Sequence, residues 1–138
     1  MLDTILRNAA TSLPIFALHF GTTLAMLVGG VLLYMAITPI NERRQIASGN
    51  VAAAVSFAAI VLGLAIPLAY CLKASVNTAD IVVWGIVSVI LQLLAYGIAS
   101  FVFRDLAKRI ESGDMAAAIA LGATNLGVAA LNAAAVSG

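Results

Sequence analysis

The sequence predicts an all-α integral membrane protein, a bundle of four transmembrane helices. Hydrophobic residues make up 63% of the chain and charged residues only 9%, whereas soluble domains are about 45–50% apolar and about 25% charged. Four apolar stretches, almost free of charge, each reach the roughly 20 residues that a helix needs to cross the hydrocarbon core. The alternation of period two that marks the strands of a membrane barrel is absent.

The four stretches that we expect to span the membrane are Leu13–Ile37, Val51–Leu72, Ala79–Phe103 and Met115–Val136. They leave no room for a soluble domain, so residues 1–138 are expected to form a single membrane domain. For the first helix, Ser12 is the expected N-cap and Pro14 is expected in the first turn, where proline is tolerated. Asn77 or Thr78 is expected to open the third helix.

A second signal comes from a segment that occurs twice. The stretch IASGNVAAAVSFA at Ile46–Ala58 returns as IESGDMAAAIALG at Ile110–Gly122, 64 residues later (110 − 46 = 64). Each copy contains a glycine suited to the left-handed turn that ends a helix, followed by a residue that caps the next one. These pairs, Gly49-Asn50 and Gly113-Asp114, predict two helix–corner–helix junctions at the membrane surface.

The repeated segment predicts a tandem duplication of a two-helix unit, with repeat one at about residues 13–72 and repeat two at about 79–136. Two membrane crossings return the chain to its starting side, so the two copies should be parallel repeats related by an axis along the membrane normal. Convergence of two alanine-rich helices is the alternative. If the duplication is correct, helices one and three should occupy equivalent places, as should helices two and four.

Basic residues predict how the chain is oriented. The first and third loops carry five of them, whereas the opposite side has only Arg7 and Lys73. Because short cytoplasmic loops are enriched in lysine and arginine, loops one and three should be cytoplasmic and both termini periplasmic. The five residues form a candidate cytoplasmic face for anionic lipid headgroups or a soluble partner: Arg43, Arg44, Arg104, Lys108 and Arg109.

The first basic loop also has the pattern of a short interfacial helix. We expect Thr38 to cap this helix and Pro39 to occupy its first position. Ile40, Arg44 and Ala47 could then share one side, facing the membrane interface.

Apart from Asp80 at the very start of the third span, no Asp, Glu, Lys or Arg lies within any predicted span, which argues against a proton-driven pump. His19 is the one titratable imidazole there, either a proton or ligand site near the outer mouth or a packed interfacial residue. Other polar residues recur on single helix faces, and amides in hydrocarbon are costly unless they are hydrogen-bonded. They predict either a neutral polar path or hydrogen bonding between helices. With His19, the candidate intramembrane polar face comprises Gln92, Tyr96, Asn125 and Asn132.

Small residues predict close helix packing. Gly21, Ala25 and Gly29 follow a small-xxx-small spacing in the first helix, and Ala59 and Gly63 do so in the second. The motif is common in apolar helices, so it identifies a face for close contact without identifying the partner.

The sequence gives little reason to expect an enzyme. It contains no nucleophile–base pair, glycine-rich phosphate loop or metal-ligand cluster, so we expect no cofactor, no metal and no catalytic residue. With a net charge of +1 and no long basic tract, it is not expected to bind nucleic acid.

The combination of Thr-Pro-x-x-Glu, Gly-Asn-x-Ala-Ala-Ala and Pro-Leu resembles the YjfL-like family, a domain of unknown function numbered 350. The resemblance covers the whole chain and rests on Tyr34, Thr38-Pro39, Glu42, Gly49-Asn50, Ala52-Ala53-Ala54, Gly63, Pro67-Leu68, Trp84, Gln92 and Asn132-Ala133. It implies a small bacterial inner-membrane protein with four helices from a duplicated unit and no assigned activity. Family members occur beside soluble proteins of the ATP-grasp and phage-shock-protein-A-like classes, which implies a membrane-stress context.

Two functions are compatible with these observations. The first is a homo-oligomeric structural or interaction component whose basic cytoplasmic face meets lipid or a soluble partner. The alternative is a small oligomeric channel or facilitator with a neutral polar lining. Four short helices enclose little volume, so a pore would need several subunits or a dimer interface.

Overall fold

The computed structural model describes all residues from Met1 to Gly138. It contains helices only, four of them long and apolar enough to cross a membrane. The two short helices lie between the first and second and between the third and fourth long helices. The elements in chain order are α1 Leu2–Ile37, α2 Glu42–Ala47, α3 Val51–Ala74, α4 Thr78–Val102, α5 Leu106–Glu111 and α6 Met115–Ser137. The expected all-α class with four candidate spans is confirmed.

The first helix begins earlier than the sequence predicted. It starts at Leu2 rather than Leu13, so Ser12 is not an N-cap and Pro14 lies inside the helix. Residues 2–13 contain no glycine or proline and include three leucines and two alanines, which favour helix, so α1 extends upstream of Pro14. At 36 residues the helix is about 54 Å long, well beyond the roughly 30 Å of a hydrocarbon core.

The predicted caps of the other long helices are present. The Asn50 side chain accepts a hydrogen bond from the Ala53 N–H at 3.2 Å. The Asp114 side chain accepts from the Ala116 N–H at 3.0 Å. Asn77, rather than Thr78, opens α4.

The two glycines that precede the corner caps have the expected left-handed backbone. Gly49 has a φ of +86° and Gly113 a φ of +91°. The local signals in the repeated segment therefore give the predicted corners.

The connection between α1 and α3 differs from the prediction. Thr38 ends α1 instead of capping α2, and its hydroxyl donates to the Tyr34 carbonyl at 2.9 Å. Asn41 is the cap of α2, accepting from the Arg44 N–H at 3.1 Å. Pro39 lies between the helices, because the backbone N–H of Thr38 is still bonded to α1.

The α2 face also differs, since Ile40 is buried while Arg44 and Ala47 are exposed. A second short helix, α5, was not expected from the sequence and follows Asp105, whose backbone is left-handed.

The long helices pack around a central pair. α3 and α4 contact each other and both remaining long helices, so α1 and α6 lie on opposite sides of this pair. The most extensive packing joins α3 to α6, where a Cβ on Gly122 would come within 3.2 Å of the Ala59 Cβ. Small residues allow this approach, and a cluster of buried side chains closes the corner end: Ile40, Ala52, Ala53, Ala99, Leu106, Ile110, Ala117, Ala118 and Leu121.

The two corner regions have matching bounds. α2 and α5 begin 64 residues apart (106 − 42 = 64), and so do α3 and α6 (115 − 51 = 64). The long helices are packed less symmetrically. If α1 corresponds to α4 and α3 to α6, the contact between α3 and α4 has no equivalent, because α1 and α6 lie on opposite sides of the central pair. The local geometry of the two halves therefore agrees more closely than their packing.

Candidate functional site

Gln92 joins three helices in the middle of the bundle. Its side chain is fully buried, and its amide nitrogen donates to the Gly63 carbonyl at 3.0 Å and to the Asn125 carbonyl at 3.2 Å. A Cβ on Gly63 would lie 3.0 Å from the Gln92 side-chain oxygen. Glycine at this position therefore lets the amide reach the α3 backbone.

Tyr34 adds the fourth long helix to this polar contact. Its hydroxyl lies 3.5 Å from the Asn125 amide nitrogen, a long and therefore weak hydrogen bond. The Tyr34 and Tyr96 rings meet edge to face, with centroids 6.0 Å apart. The structure thus brings together Gln92, Tyr96 and Asn125 from the predicted polar face, and it adds Tyr34, which the polar-face prediction did not include.

Asn132 and His19 lie apart from this group. Asn132 is buried and donates to the Ser88 hydroxyl at 2.9 Å, which forms a second contact between α4 and α6. His19 is partly exposed in a segment of α1 whose neighbouring residues are mostly exposed, and its ring makes no hydrogen bond to the protein. The five predicted residues therefore do not form one continuous path within a single chain.

The predicted basic residues lie at the corner end of the bundle, where α2 and α5 are held together. The Asn50 amide donates to the carbonyls of Ile110 at 2.9 Å and Glu111 at 3.0 Å. Four of the five basic side chains are exposed and make no ion pair: Arg43, Arg44, Arg104 and Lys108.

Arg109 differs from the other four because it is engaged within the corner. Its Nε lies 2.7 Å from a carboxylate oxygen of Asp114. The hydrogen bond from Arg109 holds the pKa of Asp114 below its usual range, and the backbone N–H groups that Asp114 caps act in the same direction. The free basic face therefore contains four cations instead of the predicted five.

Glu42 is the polar residue that the site predictions from the sequence missed. It is the first residue of α2 and only 1% exposed, and neither carboxylate oxygen has a hydrogen-bond partner in the protein. Burial raises the pKa of Glu42. The Glu111 carboxylate also raises this pKa, whereas the Glu42 backbone N–H and the Thr38 side chain oppose the increase without cancelling it. Its position outside the apolar spans and beside two arginines is typical of a solvated residue. The one available signal was the 64-residue offset, which aligns Glu42 with an apolar residue, Leu106.

An apolar groove opens between α1, α2 and α3. Its volume is about 640 Å³, and its walls are apolar side chains such as Leu27, Val31 and Phe57. Glu42 and Arg43 line its corner end. The groove is therefore apolar along most of its length, with one acidic and one basic residue at its corner end.

The chemistry available to these residues is hydrogen bonding and the titration of one buried carboxyl group. No group of three or more His, Cys, Asp or Glu side chains is arranged to hold a metal ion. The single cysteine, Cys71, is buried as a free thiol.

Comparisons with known proteins extend over nearly the whole chain. A family model described as Domain of Unknown Function (DUF350) matches residues 8–136. The UPF0719 inner membrane protein YjfL of Escherichia coli strain K12 is 31% identical over 123 residues, which cover 89% of this chain and 93% of that protein. The protein of the same name from Escherichia coli O157:H7 has the same identity and coverage. No solved structure matches the chain.

Proposed function

The chain belongs to the DUF350 family, and on that premise we propose that it is a multi-pass structural component of the bacterial inner membrane. In this proposal it assembles as a homo-oligomer and presents a basic cytoplasmic face to anionic lipids or a soluble protein. It has no enzymatic activity and needs no cofactor. The inner-membrane location is supported by the name of the Escherichia coli relative and by the four apolar helices.

The observation that carries this proposal is the bonding of the buried amides. Gln92 and Asn132 donate their side-chain hydrogen bonds to other helices of the same chain. Amides used in this way hold α3, α4 and α6 together, because an unpaired amide in hydrocarbon is costly. This use favours a structural role over a polar pore lining.

Assembly through α1 is supported by the exposure of its small residues. Gly21, Ala25 and Gly29 all face outward, and no heavy atom lies within 4 Å of a Cβ built on either glycine. The buried residues of α1 are confined to the part from Gly30 onward. An outward small-xxx-small stripe on a long, sparsely packed helix fits close contact with a second copy.

The assembly proposal is tested by a bulky substitution within the stripe. Gly29→Ile should reduce the oligomer towards monomer, measured by native mass spectrometry or single-molecule photobleaching in lipid nanodiscs. Gly127→Ile is the matched control, since Gly127 is equally open but lies on α6. An unchanged oligomer in Gly29→Ile, or an equal loss in the control, would contradict assembly through α1.

The proposal for the basic face rests on exposed, unpaired cations. Each lysine or arginine near an anionic membrane surface contributes about 1 kcal/mol of attraction. Arg43→Gln combined with Arg44→Gln should weaken binding of a soluble partner in pull-downs and of anionic lipid in native mass spectrometry. The matched control neutralises Arg7 and Lys73, and equal losses in both pairs would contradict a dedicated face.

We also propose that loops one and three are cytoplasmic and both termini periplasmic. The support is the excess of basic residues at the corner end. A reporter that is active only in the periplasm should be active when it is fused after Gly138. If it is inactive, and a reporter that is active only in the cytoplasm works at the same place, the proposed orientation is wrong.

A tandem duplication of a two-helix unit is proposed as the origin of the chain, with parallel repeats at about 13–72 and 79–136. Its support is the constant offset of 64 residues between α2 and α5 and between α3 and α6. Two halves separated in the loop around Val76 should reassemble when co-expressed, each as a folded helix pair. Halves that never associate would count against this origin.

The channel or facilitator is the second candidate, and one observation favours it. The side-chain oxygens of Gln92 and Asn125 are buried and accept no hydrogen bond from the protein. Ion or solute flux into liposomes that disappears in Gln92→Ala and Asn132→Ala, with assembly intact, would support this candidate. Absence of flux for common ions and small solutes would favour the structural role.

A further inference from the structure

Glu42 is a buried carboxyl group whose ionised form is favoured only by the nearest polar groups, its own backbone N–H and the Thr38 side chain. The side chain is 1% exposed and neither oxygen is hydrogen-bonded by the protein. Arg43 and Arg44 follow directly in the sequence, yet both are exposed and neither pairs with it. An isolated buried charge is unfavourable by several kcal/mol, so such groups take up a proton or move to water.

The groups that face Glu42 from the surrounding elements supply no positive charge. α1 contributes Tyr34 and Thr38, and α5 contributes the Glu111 carboxylate, which repels a second negative charge. α4 contributes Tyr96 through its contact with Tyr34.

The remaining elements do not change this balance. The first turns of α3, from Val51 to Ile60, contain no titratable residue. On α6, Asp114 is already paired with Arg109. No cationic side chain forms an ion pair with Glu42, so protonation is the means by which this buried carboxyl becomes neutral.

The second half of the chain has a residue in the place that corresponds to Glu42, and that residue is not titratable. The residue 64 positions after Glu42 is Leu106, which is also the first residue of its short helix and is 2% exposed. A neutral apolar side chain therefore satisfies the equivalent place. At the first position of α2 the protein instead has Glu42, whose carboxyl group is neutral only when it is protonated.

We propose that Glu42 is a proton-binding site that fastens α2 to the bundle, and that loss of this proton releases α2. Protonation makes the carboxyl neutral and lets it remain buried beside Tyr34 and Thr38. Ionisation drives it towards water, and α2 moves with it because Glu42 is part of that helix. Since Arg43 and Arg44 lie on α2, release would also change the position of the basic residues. The inference concerns the docking of α2 and does not depend on what the basic face binds.

The sign of the pH dependence follows from the direction of the pKa change. Burial raises the pKa of Glu42 in the docked state, so docked α2 holds its proton at pH values where released α2 has lost it. Docking is therefore fully stabilised below the usual glutamate pKa, and the stabilisation is lost as the pH rises through the raised value.

Hydrogen exchange of the full chain in nanodiscs tests the proposal. Amide protection of residues 42–47 should fall with rising pH by up to about tenfold per pH unit, after correction for intrinsic exchange. Glu42→Gln and Glu42→Leu should keep α2 protected at every pH. Glu111→Gln is the matched control, in which the transition should persist and move to lower pH because the neighbouring negative charge is gone.

Infrared difference spectroscopy gives a second readout, a protonated carboxyl band that disappears with the same pH transition and is missing in Glu42→Gln. Glu42→Leu keeps the experiment decisive if the glutamine variant does not fold, since leucine occupies the equivalent place in the second half. The proposal fails if wild-type protection of α2 is independent of pH or if Glu42→Leu retains the transition. It also fails if the transition follows sodium or potassium concentration instead of pH, which would indicate a metal-cation site.

Discussion

The two corners of the molecule share a backbone and differ in chemistry. In each, a six-residue helix ends at a serine, a glycine with positive φ follows, and an Asn or Asp caps the next long helix. Each cap is also bonded to the residue five positions earlier, Asn50 to Gln45 at 3.0 Å and Asp114 to Arg109 at 2.7 Å. The first pair is neutral and the second is ionic.

This difference between the corners extends to the residue that opens each short helix. The first corner buries a carboxyl group at Glu42, whereas the second buries Leu106. Of the two capping residues, only Asn50 has side-chain N–H groups. It donates hydrogen bonds to two backbone carbonyls of the second corner. The comparison teaches that the same corner backbone can bury a carboxyl group in one place and a leucine in the other.

The largest expected effect comes from exchanging the residues that open the short helices. Leu106→Glu loses a buried leucine and places a carboxyl within an apolar cluster, so we expect a loss of about 3 kcal/mol or more in unfolding free energy. Glu42→Leu should cost little or stabilise the protein. Denaturant unfolding in detergent measures both, and equal losses would mean that the two positions do not differ in their tolerance of charge.

The second effect tests the hydrogen bonds between corners. Asn50→Asp removes the N–H groups that donate to oxygens of Gln45, Ile110 and Glu111. It also places a negative charge next to those oxygens. We expect a loss of about 2 kcal/mol, measured by the same unfolding experiment. The matched exchange Asp114→Asn should have the smaller effect, and the opposite order would contradict the role given to Asn50.

A third effect should be the same in both corners. Gly49→Ala and Gly113→Ala each place a Cβ on a left-handed residue, and nothing lies within 4 Å of either Cβ. The cost should come from the backbone alone and be about 1 kcal/mol in each case. Thermal unfolding of the two variants checks this, and clearly different losses would show that the corners are not equivalent even in backbone geometry.

The smallest effect distinguishes the corners by pH. Because Arg109 lowers the pKa of Asp114, the stabilisation from this pair is present above the usual aspartate pKa and is lost as the pH falls through the lowered value. Hydrogen exchange near residues 114–117 should therefore increase in acid, and Asp114→Asn should abolish that increase. Acid thus loosens the second corner, whereas base is expected to loosen the first.

The sequence determined the parts of this protein that depend on neighbours along the chain. The four apolar spans and the caps Asn50, Asn77 and Asp114 follow from hydrophobic length and local hydrogen bonding. The start of α1, the cap of α2 and the existence of α5 were not predicted, because short or frayed helical segments carry weak local signals. Helix periodicity also placed Asn125 and Asn132 on one face of the fourth helix, which was expected to point inward or at a partner subunit.

The tertiary structure alone decided which groups meet. The Gly63 carbonyl as a partner of Gln92, and the ring of Tyr34 beside Asn125, depend on how α1, α3, α4 and α6 pack. The burial of Glu42 is the clearest case, since its sequence neighbours are polar and charged. Burial and the absence of a partner are properties of contacts between elements, and a single apolar pattern along the chain does not encode them.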